Sequence, residues 1–130
     1  LEADLISVKK LPAGHPVSYG GTWVAPQDTY IGIVPLGYAD GIDRHASGKI
    51  WVAANGQKYP QVGRICMDQF MVDLGSGEED KPPLAAGATV RVWGDGSQGE
   101  PTADDWAKAA ETINYTIVTG LNPRVPRVYI

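Results

Sequence analysis

The sequence predicts a mainly β protein, a partly open barrel or sandwich with one or two short helices near the C-terminus. Three observations point there. Sixteen glycines and ten prolines in 130 residues cut the chain into short runs. Those runs are rich in Val, Ile, Tyr, Trp and Thr, which suit a half-buried pleated surface. Only one stretch, late in the chain, carries apolar residues at helical spacing.

Strands are expected at Asp4 to Lys10, Pro16 to Tyr19, Thr29 to Pro35, Lys49 to Ala53, Gln57 to Pro60, Gly63 to Leu74, Thr89 to Trp93 and Arg124 to Tyr129. Asn55-Gly56 joins the fourth to the fifth, a pair that accepts the positive φ angles of a tight hairpin turn. Gly75 to Pro83, with Glu78, Glu79, Asp80 and two prolines, reads as an exposed loop. The helix is expected from Thr102 to Thr112. Thr102 can cap it, Asp104 and Asp105 suit the positive end of its dipole, and Trp106, Ala109, Ala110 and Ile113 share a face. A shorter helix is expected around Asn114 to Val118.

Composition narrows the functional classes. With 43% hydrophobic and 20% charged residues, the chain suits one domain with a real core. No apolar run approaches the ~20 residues of a membrane helix, and the first residues lack the pattern of a secretory signal, so a soluble, cytoplasmic protein is expected. A net charge of −4 offers no basic stripe for nucleic acid. The single cysteine, Cys66, cannot pair internally, which fits a reducing compartment. The chain starts at Leu1 with strand-like alternation, which reads as a piece of something longer.

Several motifs are weak on inspection. Gly94-Asp95-Gly96-Ser97-Gln98-Gly99 matches a dinucleotide glycine pattern but lacks the βαβ context, and Asp95 and Glu100 would repel a pyrophosphate, so a simple turn is expected. His15 and His45 lie far apart with no partner at ligand spacing, which argues against a metal site. Asn114-Tyr115-Thr116 fits the glycosylation rule by chance beside a helix. Cys66 has no base nearby in sequence and reads as a buried structural thiol. None of Lys9, Lys10, Lys49, Lys58, Lys81 or Lys108 sits in an apolar run that would lower its pKa.

Polar groups stand out where the strand pattern should be apolar. Arg64, Asp68 and Gln69 fall among Ile65, Cys66, Met67, Phe70, Met71 and Val72, and buried polar groups need partners, solvent or a ligand. Upstream, Tyr19 precedes Gly20-Gly21, and Tyr38 sits in the turn Gly37-Tyr38-Ala39-Asp40-Gly41. Spacing alone makes Tyr19 a rim aromatic with a wet hydroxyl and Tyr38 part of a plain connection.

Taken together, Val17-Ser18-Tyr19-Gly20, Gly37-Tyr38-Ala39-Asp40-Gly41 with Arg44, Gly63-Arg64-Ile65-Cys66-Met67-Asp68-Gln69, Ile113-Asn114-Tyr115 and Arg124-Val125-Pro126-Arg127 resemble the C-terminal domain of bacterial alanine racemase. The resemblance spans nearly the whole chain and reverses the bland readings of both tyrosines. It implies a β domain, here residues 1–130, that follows an N-terminal α/β barrel carrying pyridoxal 5′-phosphate on a lysine, the barrel being absent from this chain. It also implies a homodimer in which this domain meets the barrel of the other subunit. Tyr19 matches the tyrosine that works one face of the substrate α-carbon while the lysine works the other, interconverting L- and D-alanine. Met67 matches the residue whose backbone amide lies near the substrate carboxylate, with Cys66 and Asp68 shaping the same wall. Tyr38 matches a residue of the substrate entrance, and Tyr115 one that approaches the cofactor phosphate. Arg44, Arg64 and Arg127 are expected as supporting or interface groups. The alternatives are a stand-alone interaction module without chemistry and a racemase for another small amino acid such as serine.

Overall fold

Short apolar runs separated by glycine and proline form short antiparallel strands, because alternate side chains face opposite sides of the sheet. The computed structural model describes residues 1–17, 23–77 and 81–128. Among these the strands are β1 (Glu2–Asp4), β2 (Ser7–Leu11), β3 (Pro16–Val17), β4 (Trp23–Val24), β5 (Thr29–Val34), β6 (Trp51–Ala54), β7 (Gln57–Val62), β8 (Phe70–Gly75) and β9 (Thr89–Arg91). The main sheet runs β1-β9-β6-β7-β8-β5-β2 and curls into a half-barrel, while β3 and β4 pair apart from it. The expected hairpin is present: β6 and β7 turn through Asn55 and Gly56 at φ 52° and 76°.

Helix α1 (Ala103–Ala110) begins where a capping box forms. The Thr102 hydroxyl accepts from the Asp105 N–H at 3.1 Å, and the Asp105 carboxylate accepts from the Thr102 N–H at 2.9 Å. Its inner face buries Trp106, Ala107 and Ala110. Trp106 keeps its polar handle satisfied by donating to the Val92 carbonyl at 2.8 Å. Phe70 and Val72 of β8, Val34 of β5, Val52 of β6 and Val90 of β9 complete the core with it. Burial of each such side chain stabilises by ~1.5–3 kcal/mol. A short helix α2 (Asn114–Thr119) follows, as expected.

Three strand expectations need correction. Asp4 to Lys10 is not one strand, because the chain changes partners at a corner. Leu5 donates to the Ala88 carbonyl at 2.9 Å beside β9, and Ile6 donates to the Ile33 carbonyl at 3.0 Å in β5. Gly63 to Leu74 is a strand only from Phe70. Gly63 takes φ 72°, and the Cys66 N–H donates to the Gln69 carbonyl at 2.9 Å, so the intervening chain folds on itself. Residues 124–128 form no strand, because Asn122 captures the local amides. Its side chain accepts from the Arg124 N–H at 3.0 Å and its carbonyl accepts from the Val125 N–H at 3.0 Å. The Gly94–Gly99 segment is a turn, as expected.

Candidate functional site

The two segments that broke the strand pattern in sequence meet in space. Residues Tyr38–Asp40 form a single 3-10 turn after β5, and residues 63–69 form the connection from β7 to β8. The Tyr38 N–H donates to the Cys66 carbonyl and the Ala39 N–H to the Met67 carbonyl, each at 3.0 Å. Two glycines permit this approach. A Cβ at Gly37 would collide with the Cys66 and Met67 carbonyls, and one at Gly41, which sits at φ 103°, would collide with Gly120 just beyond α2.

That backbone pairing sets the direction of the Met67 amide. In a trans peptide the N–H points opposite the preceding carbonyl, and there are no cis bonds among the described residues. Because the Cys66 carbonyl points at Tyr38, the Met67 N–H faces the other side of the loop. Tyr38 and Met67 remain 46% and 53% exposed, so neither side chain is spent on the core. Tyr115, at 72%, stands on α2, whose end abuts the same turn.

A charged network holds this corner. Asp40, only 5% exposed, accepts from the Gly37 N–H at 2.9 Å with one oxygen and from Arg124 Nε with the other. Arg124 Nη2 continues to Asp68 at 3.0 Å. The Asp40 carbonyl accepts from the Asn122 N–H at 2.9 Å, which draws the C-terminal segment onto the turn. Burial alone would raise the Asp40 carboxyl, but Arg124 and the Gly37 N–H outweigh it and hold it below the usual carboxylate range. Arg124 is raised in turn by its bonds to Asp40 and Asp68. Arg124 and Asp68 border a cleft of about 380 Å³ with Pro35, Leu36, Asp40 and Val125.

The expected site residues therefore divide. The structure brings Tyr38, Cys66, Met67 and Asp68 together and sets Tyr115 on the neighbouring helix. Tyr19 lies outside the described residues; Val17 and Trp23, which flank its segment, pair in the β3–β4 ladder. Cys66 is half-buried rather than buried, because it lies in a surface loop instead of a strand; its thiol meets the Arg64 carbonyl at 3.5 Å. Arg127 holds carbonyls rather than carboxylates, donating to Leu121, Asn122 and Val125 at 2.9 to 3.0 Å. Arg44 and Arg64 border a separate cleft of about 300 Å³ with His45 and Ser47. Among the described residues no cluster of three or more His, Cys, Asp or Glu is placed to hold a metal ion, and no helix is long and apolar enough to cross a membrane.

The residues that sequence reasoning passed over are Asp40 and Arg124 as a pair. A signal existed for each: an acid between Ala39 and Ile42 beside glycines, and an arginine in a proline-bounded tail. Their pairing spans 84 positions and has no local signature.

Comparison with known proteins fits this geometry. A family model described as alanine racemase, C-terminal domain, matches residues 1–129. Alanine racemase of Streptomyces coelicolor is 53% identical over all 130 residues, which is 32% of that protein. Alanine racemase of Mycobacterium tuberculosis H37Rv is 51% identical over 122 residues, 94% of this chain and 31% of that one. The crystal structure of alanine racemase from D-cycloserine producing Streptomyces lavendulae superimposes with a TM-score of 0.90 at 52% identity, over 99% of this chain and 32% of that one. The Bartonella henselae alanine racemase, crystallised with covalently bound pyridoxal phosphate, gives 0.86 at 32% identity over 99% of this chain and 34% of that one. The chain thus spans about a third of the length of the relatives it matches. It belongs to the alanine racemase family, as the C-terminal domain.

Proposed function

We propose that this chain is the part of a pyridoxal-phosphate-dependent alanine racemase that completes the active site of a partner subunit. The observation that carries the reading is the corner at which Tyr38 and Met67 stay exposed while a buried carboxylate and two loop-to-loop bonds hold their backbones. The rest of the protein supplies an N-terminal α/β barrel and the cofactor lysine, and the two subunits form a homodimer in the cytoplasm.

The residues present fit one edge of the cofactor site. Tyr115 offers an exposed phenol, a donor suited to a phosphate oxygen. All six lysines are exposed, so the covalent anchor is assigned to the barrel. When bound, the cofactor serves as electron sink for the α-carbon. The Met67 N–H orients the substrate carboxylate, Cys66 and Asp68 shape that wall, and Tyr38 narrows the entrance toward a small amino acid such as alanine.

Tyr19 carries the proton to or from the α-carbon on the face opposite the lysine, since inversion requires delivery and removal on opposite sides. A free phenol, with a pKa near 10, is a poor base at neutral pH, and lowering it by about two units takes roughly 2.7 kcal/mol of interaction with positive charge. The barrel supplies that charge, so the domain alone is inactive. The test is Tyr19→Phe in the full-length holoenzyme. Racemisation should fall ~10²–10⁴-fold with the cofactor absorbance kept, and by more than in Tyr38→Phe. Unchanged turnover would refute the role, and comparison of alanine with serine as substrates reads the specificity.

A further inference from the structure

Resting on the assignment of the Met67 amide as the carboxylate donor, we propose that Arg124 is a positioning residue for substrate binding, acting through Asp40 and Asp68 on the loop that carries that amide. The loop is pinned at its ends by buried Ile65 and Phe70. Between them, the Cys66 and Met67 carbonyls hang on the Tyr38–Ala39 turn, and Asp68 hangs on Arg124. The Met67 peptide groups are therefore held on one side by the turn and on the other by the arginine.

Arg124 is suited to this by the shape of its fork. Nε faces Asp40 and Nη2 faces Asp68, two carboxylates on different segments, which a planar guanidinium can bridge and a lysine point charge cannot. The two ends differ in burial. Asp40 is enclosed and bonded to its own turn, whereas the Asp68 side chain is 69% exposed. The arginine thus transfers the position of a fixed group to a loop edge that solvent would otherwise share. Exposure also makes the outer half of the bridge dispensable for folding, so its worth lies in placement.

An interaction that binds ground and transition states alike changes KM and spares kcat. In the full-length holoenzyme, Arg124→Ala should raise KM for alanine roughly ten-fold, the size expected for a charge-assisted contact, with kcat within ~2-fold. Arg124→Lys should restore less than half of that loss, because it keeps the charge without the fork. Asp68→Ala should raise KM by a smaller factor with an unchanged melting temperature, and the double variant should be no worse than Arg124→Ala, since both sever one chain of contacts. A KM within two-fold of wild type in Arg124→Ala, or factors that multiply in the double variant, would overturn the inference. Should Arg124→Ala fail to fold, Arg124→Lys decides it: a KM raised several-fold supports the inference, and an unchanged KM overturns it. If the unmodified enzyme does not racemise alanine, the proposed function fails and takes this inference with it; if it racemises normally and only the Arg124 result is flat, this inference alone fails.

Discussion

Two glycine-rich turns in this domain use the same device to different ends. In Gly37–Gly41, buried Asp40 accepts the Gly37 N–H at 2.9 Å and pairs with Arg124. In Gly94–Gly99, the adjoining Glu100, 2% exposed, accepts the Gln98 N–H at 2.9 Å and pairs with Arg91 at 2.9 Å. The second turn closes inward: Trp51 Nε1 donates to the Gly99 carbonyl at 2.8 Å, and the Gly94 N–H to the Pro101 carbonyl at 2.9 Å. The first presents Tyr38 and the neighbouring Met67 to solvent. A buried carboxylate–arginine pair is therefore no mark of a site by itself. What distinguishes the first turn is that the rigidity is applied to side chains that remain outside.

The comparison can be broken most forcefully at the core behind the second turn. Trp106→Ala should destabilise the domain by ~3–5 kcal/mol, read by denaturant unfolding, because it empties a fully buried site. In whatever fraction stays folded, KM for alanine should not change. Glu100→Gln sharpens the contrast: it should lower the melting temperature with KM unaltered, whereas Asp40→Asn should lower the melting temperature and raise KM together. A rise in KM in Glu100→Gln would erase the distinction between the turns.

Acid should act on both turns alike. The Gln98 N–H and Arg91 hold Glu100 below its ordinary carboxyl value of 4.5 against the cost of burial, and Asp40 lies below its ordinary 3.8. Groups lowered in the folded state contribute stability that is complete above those ordinary values and lost as pH falls through the folded ones. The melting temperature should accordingly drop on acidification below the ordinary values, and Asp40→Asn should show a shallower drop. An equally steep acid profile in that variant would remove Asp40 from the account. The smallest expected effect is Tyr38→Phe, a few-fold change in turnover at most, since the ring proposed to narrow the entrance is kept.

Much of the fold was legible because it rests on local chemistry. Asn55-Gly56 specified its hairpin, and Thr102 with Asp105 specified the start of α1, since each signal and its consequence lie within four residues. Residues 63–69 were read as strand because Ile65, Met67 and Phe70 carry strand-like composition. Their true course depends on Gly63 and on bonds from the Tyr38 turn, a partner across the chain. Residues 124–128 misled for the same reason, with Asn122 and two prolines overriding β propensity. The segments that meet at this corner were singled out through motif resemblance; the Asp40–Arg124–Asp68 bridge was not, because no periodicity links distant charges.

The central claim is that a phenol from this domain serves one face of the substrate carbon. The direct measurement is exchange of the α-hydrogen with deuterated solvent, starting separately from L- and D-alanine, in full-length Tyr19→Phe holoenzyme. The account predicts that exchange survives from one enantiomer only, while interconversion is nearly abolished. Exchange lost equally from both, or undiminished from both with racemisation intact, would contradict it.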